Sequence, residues 1–111
     1  RDLQKRDGQW TRAKGFDTFC PIGQWIDTDF IPGTQLITAS VNGEIKQSAH
    51  LNEMIFKVPE IINFVTRVMT LLPGDVILTG TPAGIGPMIA GVTATMSIVG
   101  LGELTNRVSR N

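Results

Sequence analysis

The chain has 111 residues, which is enough for one domain or for part of a larger one. Its 10 lysines and arginines balance its 10 aspartates and glutamates, so net charge provides no general attraction to nucleic acid or to an anionic membrane. One cysteine excludes an internal disulfide, and no stretch has the roughly 20 apolar residues that cross a bilayer, so a cytoplasmic location is expected.

The first half of the chain indicates a fold made mainly of strands. Residues 1–9 are polar and are predicted to be helical or irregular, and residues 16–22 are predicted to form a short buried strand. Residues 35–41 and 44–48 flank the dipeptide Asn42-Gly43. This dipeptide predicts a hairpin, because both of its residues tolerate the positive φ angles of a type I′ turn.

The second half adds one helix and three more strands. A helix is predicted over about 59–71, where apolar residues recur at helical spacing and Pro59 suits the first turn. Short strands are predicted over 76–78, 93–99 and 103–108. The expected class is therefore mixed α+β, mostly β, with one main helix.

A glycine-rich loop over 79–87 does not match either of the common phosphate-binding motifs. No Lys-Ser/Thr pair follows Gly86, which excludes a P-loop, and the glycine spacing does not match the dinucleotide fingerprint. The loop still offers free backbone amides and the Thr81 hydroxyl at a strand end, where a carboxylate can bind. By chemistry alone the loop is equally consistent with a plain turn and with a ligand contact.

Five separated blocks of sequence resemble the fumarylacetoacetate hydrolase family in order and spacing. They are Arg-Asp-Leu-Gln (1–4), Trp-Thr-Arg-Ala-Lys-Gly-Phe-Asp (10–17), Val-Asn-Gly-Glu (41–44), Pro-Gly-Asp-Val-Ile-Leu-Thr-Gly-Thr-Pro-Ala-Gly-Ile-Gly-Pro (73–87) and Leu-Thr-Asn-Arg-Val (104–108). The resemblance implies a rolled β-sheet, a homodimer, and chemistry on small 2-oxo acids or 1,3-dicarbonyl (diketo acid) compounds. The reactions would be C–C hydrolysis, decarboxylation or isomerisation through an enolate.

The resemblance also implies a metal that this chain does not hold by itself. Members of the family hold Mg²⁺, or a similar ion such as Mn²⁺ or Ca²⁺, with a Glu-x-Glu pair and an aspartate. All three ligands would lie upstream of Arg1, as would the lid that carries an acid–base pair. Residues 1–111 are therefore expected to be the C-terminal portion of such a catalytic domain, with no metal ligand of their own.

Four site residues are carried over from the resemblance. Lys14 matches the active-site lysine, whose ammonium would stabilise the negative charge of the enolate or orient the nucleophilic water. Thr81 matches a threonine that contacts the substrate carboxylate through its hydroxyl and its backbone amide. Arg1 and Gln4 match residues that face the substrate, and their i, i+3 spacing predicts one helix face. On the residues alone, Lys14 is more typical of a surface charge before a strand, whereas Thr81 is equally consistent with a turn residue and with a ligand contact. Arg1 and Gln4 are expected to be solvent-exposed in this chain.

Other reactive or aromatic side chains are interpreted as structural. His50 is expected to be a surface or satisfied histidine, and Cys20 to be packed inside an apolar strand. Asp27 and Asp29 are interpreted as loop carboxylates, and Asp75 as a turn residue. Trp10 and Trp25 are interpreted as core or subunit-contact aromatics.

Two functions from different classes remain open at the level of sequence. The first is part of a metal-dependent enzyme that needs residues from outside this chain. The alternative is a non-catalytic remnant or assembly module that keeps the sheet. With either function, missing strands would leave open sheet edges and exposed apolar surface, so the isolated chain is expected to be oligomeric or marginally stable.

Overall fold

Four antiparallel strands form one sheet in the computed structural model, which describes residues 1–110. The strands are β1 (Leu36–Val41), β2 (Glu44–His50), β3 (Thr93–Ile98) and β4 (Gly102–Arg107). Their order in the sheet is β2-β1-β3-β4, so β1 and β3 lie at the centre while β2 and β4 form the edges. The mixed, strand-rich class predicted from the sequence is confirmed.

The β1–β2 hairpin turns at Asn42-Gly43, as predicted. Asn42 has φ 49° and Gly43 has φ 81°, which are the left-handed values of a type I′ turn. Asn42 also joins the hairpin to β3: its Oδ1 accepts a 2.8 Å bond from the Thr93 amide, and its own amide donates to the Thr93 carbonyl at 2.8 Å. One asparagine therefore forms the turn and aligns the start of the next strand.

A β-bulge interrupts the edge strand β2. Ala39 is paired with Gln47 and Ser40 with Ile45, which leaves Lys46 as the extra residue on β2. A bulge of this kind bends the strand and redirects the side chains beside it. The bulged residue and its neighbour Gln47 face the glycine-rich loop described below.

Three α-helices lie outside the sheet within residues 1–110: α1 (Asp2–Arg6), α2 (Thr11–Lys14) and α3 (Val58–Thr66). A short 3₁₀-helix, Leu51–Glu53, follows β2. The predicted main helix is confirmed, but it ends at Thr66 instead of at residue 71. At that point the hydrogen-bond pattern changes to that of a 3₁₀-helix: the amides of Arg67 and Val68 donate to the carbonyls three residues earlier, those of Phe64 and Val65. At its start, the Lys57 amide donates to the Glu60 carboxylate at 2.7 Å.

Two predicted strands are wrong. Residues 16–22 contain a turn, in which Phe19 bonds back to the Phe16 carbonyl and Thr18 has φ 66°. Cys20 is consequently exposed, not packed in a strand. Residues 76–78 are not in a strand either, and Leu78 is 74% exposed. An apolar run becomes a strand only when a neighbouring strand pairs with its backbone, and no described residue pairs with these two segments.

The interior of the described chain is very small. Val92 and Ala94 are its buried apolar residues, whereas Trp10 is 54% and Trp25 71% exposed. The two tryptophans therefore do not form a core within the chain. Within residues 1–110, no helix has both the length and the apolar character required to cross a membrane.

We expect the isolated chain to associate or to be marginally stable, because so little apolar surface is removed from water. If it associates, a tenfold increase in protein concentration should raise the melting temperature by about 5 °C, since assembly then contributes to stability. Analytical ultracentrifugation with thermal melts at two concentrations tests this. A sharp, concentration-independent transition of a stable monomer would contradict it.

Asn42→Ala should lower the free energy of unfolding by about 1–3 kcal/mol, because it removes the bond to the Thr93 amide and the side chain that tolerates a positive φ. Urea unfolding at one fixed protein concentration measures the change. Asn52→Ala is the matched control, since the Asn52 side chain is exposed and makes no described hydrogen bond. A loss equal to that of the control would mean that Asn42 does not align β3.

Candidate functional site

A groove of about 550 Å³ lies where the end of β2, the start of α3 and the glycine-rich loop meet. Its walls are mostly apolar, and His50 and Glu53 are the ionisable residues that line it. The other lining residues come from β1 and β2, from the turn after β2, from α3 and from residues 79–83 of the loop. A largely apolar groove with a few polar groups is typical of a small-molecule site.

Thr81 lines this groove, in a loop that is docked against the edge strand. Gly80 and Gly84 have φ values of 93° and 106°, which side chains rarely adopt. A Cβ on Gly84 would overlap the Lys46 carbonyl, so the loop backbone lies directly against the bulge of β2. Both glycines are therefore required for the loop conformation, and Gly84 is also required for the close approach to β2.

Gln47 fixes the same loop through its side chain. Its Nε2 donates to the Pro82 carbonyl at 2.7 Å and to the Thr81 Oγ1 at 3.3 Å. The Thr81 hydroxyl in turn donates to the Pro82 carbonyl at 3.2 Å. Thr81 is exposed, whereas Gln47 is half-buried. The predicted substrate-binding threonine is thus held at the groove by a residue that sequence analysis did not identify.

Arg1, which directly precedes α1, lies beside Gln4 of that helix, as their spacing predicts. Arg1 Nη1 donates to Gln4 Oε1 at 3.3 Å. Arg1 is exposed, as expected, whereas Gln4 is half-buried. Helix α1 is tied to α2 by Arg12, whose Nε and Nη2 each donate to the Asp7 carboxylate at 2.9 Å. This two-point ion pair holds the two short helices as one unit.

Lys14 lies in the last turn of α2 and not before a strand, because the segment after it forms a turn. Its Nζ lies 5.5 Å from the centre of the Trp10 ring, a distance that favours a cation–π contact. The Lys14 side chain is exposed, and its backbone amide bonds to the Trp10 carbonyl at 3.0 Å. Trp10 therefore supports the lysine side chain while leaving the ammonium accessible.

The structure brings Arg1 and Gln4 together, places Lys14 on the neighbouring helix α2, and places Thr81 at the groove. Arg1, Gln4 and Lys14 belong to the α1–α2 unit, and Thr81 belongs to the groove. None of the first three lines the groove. A single site that uses all four residues requires the α1–α2 unit to face the groove across a ligand.

The residues interpreted as structural behave mostly as expected. His50 bonds through Nδ1 to the Thr34 carbonyl at 2.8 Å and is exposed. Asp27 accepts backbone bonds from Asp29 and Phe30 within a loop, and Asp75 accepts the Leu72 amide at 2.7 Å in a turn.

A divalent metal requires ligands that the described residues do not provide in one place. Mg²⁺ and similar hard ions are held by several oxygen ligands, usually including carboxylates. Residues 1–110 contain no cluster of three or more His, Cys, Asp or Glu side chains that could hold an ion. The described residues alone therefore do not fit a metal centre.

The sequence model of the family described as fumarylacetoacetate (FAA) hydrolase C-terminal matches residues 1–109. A 2-hydroxyhepta-2,4-diene-1,7-dioate isomerase from Mycobacterium marinum is 56% identical, with a TM-score of 0.95 over 100% of this chain and 44% of its own. A mitochondrial oxaloacetate decarboxylase from Dictyostelium discoideum is 43% identical over 90% of this chain and 51% of its own length.

A maleylpyruvate hydrolase from Sphingobium sp. SYK-6, solved with manganese(II) and pyruvate, is 38% identical with a TM-score of 0.80. It is matched over 85% of this chain and 37% of its own. The chain spans about half the length of the curated relatives it matches. Family model, sequence identity and three-dimensional similarity agree over nearly all its residues, and the chain belongs to the fumarylacetoacetate hydrolase family.

Proposed function

We propose that residues 1–111 are the C-terminal portion of a metal-dependent catalytic domain that acts on small 2-oxo acids or 1,3-dicarbonyl compounds through an enolate. The observation that carries this proposal is the Thr81 loop, which the edge strand holds at the wall of a groove of ligand size. Relatives named as isomerase, decarboxylase and hydrolase support the three reactions considered: isomerisation, decarboxylation and C–C hydrolysis.

Thr81 is proposed to hold the substrate carboxylate. Its hydroxyl and the loop backbone present hydrogen-bond donors at an exposed point, and a carboxylate accepts several such bonds. The apolar walls of the groove would surround the carbon skeleton, and the donors would fix the orientation of the substrate.

Lys14 is proposed to act on the charge that develops during the reaction. An ammonium beside the forming enolate oxygen stabilises the transition state more than the uncharged substrate. The contact with Trp10 limits the conformations of this long side chain. Arg1 and Gln4 are proposed to face the same substrate from α1, where their mutual bond keeps both donor groups on one face.

The metal of the complete enzyme is proposed to be Mg²⁺, Mn²⁺ or Ca²⁺, held by ligands from residues outside this chain. The manganese and pyruvate complex of the Sphingobium relative supports a divalent ion in the family. A homodimer in the cytoplasm is proposed as the working state, and the exposed apolar surface supports association.

The alternative is a non-catalytic remnant or assembly module. The lack of a cluster of metal ligands within residues 1–110 favours it. A chimera distinguishes the two functions: this chain replaces the matched 44% of the M. marinum isomerase, and turnover of oxaloacetate and of 2-hydroxyhepta-2,4-diene-1,7-dioate is measured. Turnover supports the enzyme, and a folded but inactive chimera supports the alternative.

Lys14→Met in this chimera should lower kcat about 100- to 1,000-fold, because a charge that stabilises the enolate is lost while the side chain keeps its length. Steady-state kinetics with circular dichroism as a check of folding tests this. Lys5→Met is the control, since Lys5 is an exposed lysine on α1. Equal kinetics for the two variants would exclude Lys14 from catalysis.

Gly84→Ala should weaken the binding of oxalate, a planar enolate mimic, about tenfold or more, because the added methyl group overlaps the Lys46 carbonyl and lifts the loop from β2. Calorimetric titration of the chimera in the presence of Mg²⁺ measures the affinity. Gly86→Ala is the matched control, since a Cβ there meets no atom within 4 Å. Unchanged affinity in Gly84→Ala would show that loop docking does not matter for the ligand.

A further inference from the structure

We propose that Gln47 is a positioning residue that allows the Thr81 hydroxyl to turn from the Pro82 carbonyl to a substrate carboxylate. This inference rests on the proposed role of Thr81 and extends it to a residue of the edge strand. The bonds from Gln47 to Thr81 and Pro82 join residues 34 and 35 positions apart in the sequence.

The bulge of β2 places Gln47 at the loop. Because Lys46 is the extra residue, Gln47 remains paired with Ala39 while the strand bends beside it. The Lys46 carbonyl contacts the backbone at Gly84, and the Gln47 side chain reaches Pro82. Two consecutive residues of one strand thus hold the loop at two points on either side of Ala83.

The orientation of the Gln47 amide follows from its partners. The Pro82 carbonyl can only accept a hydrogen bond, so the Gln47 atom 2.7 Å from it must be the nitrogen. That nitrogen carries two protons. It can therefore donate both to the Pro82 carbonyl and to Thr81 Oγ1, which lies 3.3 Å away.

The hydrogen bonds around Pro82 explain why this arrangement suits a carboxylate. Thr81 Oγ1 donates its single proton to the Pro82 carbonyl at 3.2 Å. When that proton turns to a substrate carboxylate, the carbonyl keeps its shorter bond from Gln47 and is not left unpaired. The bond that Thr81 Oγ1 accepts from Gln47 also polarises the hydroxyl and makes it a better donor.

A double-mutant cycle in the chimera tests this inference. Gln47→Met should raise the KM for oxaloacetate and the Kd for oxalate about tenfold, with kcat changed less than about twofold. In a Thr81→Val background the same substitution should change both constants less than about twofold, because the hydroxyl that it supports is already gone. The oxalate measurement does not depend on turnover.

A second substitution replaces the hydrogen-bond donor of Gln47 with an acceptor instead of removing it. In Gln47→Glu the carboxylate cannot donate to the Pro82 carbonyl, accepts the Thr81 proton, and places a negative charge near the substrate. The Kd for oxalate should therefore rise about 100-fold, more than in Gln47→Met. Gln24→Met and Gln24→Glu are the controls, since Gln24 is exposed and outside the groove.

The outcomes separate this inference from the proposed function. If Thr81→Val weakens oxalate binding but Gln47→Met does not, or if the two effects simply add, the role of Gln47 is overturned and that of Thr81 stands. If Thr81→Val leaves the affinity unchanged, Thr81 is not the carboxylate anchor and both proposals fail. If Gln47→Met weakens oxalate binding when Thr81 is present but not in the Thr81→Val background, the positioning role of Gln47 is supported.

Discussion

The pairing of β1 with both of its neighbours is the interaction on which the rest of the structure depends. On one side β1 holds the edge strand β2, whose bulge at Lys46 receives the glycine-rich loop. On the other side it holds β3, which contains the buried residue Ala94. Because Asn42 bonds to Thr93, the tight turn of the hairpin also aligns this second pairing. Without the β1 ladder, neither the small interior nor the wall of the groove would form.

The described chain has few buried side chains, which bears on its stability. A chain with Val92 and Ala94 as its buried apolar residues gains little from the hydrophobic effect within itself. Specific polar contacts connect its elements instead: the Arg12–Asp7 pair joins the two short helices, and the bonds of Gln47 hold the glycine-rich loop. The family relatives are about twice as long, and the exposed apolar side chains are consistent with burial against further residues.

The proposed site consists of hydrogen-bond donors and cations more than of acids and bases. Lys14, Arg1 and the Thr81 loop offer positive charge, N–H groups and a hydroxyl, which complement the carboxylate and the enolate of the proposed substrates. The ligands of the proposed metal would have to come from outside the described residues, which contain no cluster of three or more His, Cys, Asp or Glu side chains that could hold an ion. Division of an active site between donors on one segment and metal ligands on another is consistent with a chain that matches about half of each relative.

The sequence by itself determined the family, the Asn42-Gly43 hairpin, the main helix and the last two strands. The hairpin, helix and strands follow from local chemistry, namely turn residues that accept positive φ and the periodicity of apolar residues, and the family follows from five motifs at fixed spacing. The four site residues carried over from the resemblance stay predictions. Only the tertiary structure decided that 16–22 and 76–78 are not strands, because pairing depends on which neighbours are present. It also decided the bulge at Lys46 and the contact of Gln47 with Thr81, because a bulge changes the register by one residue without a distinct sequence signal, and the contact joins distant segments.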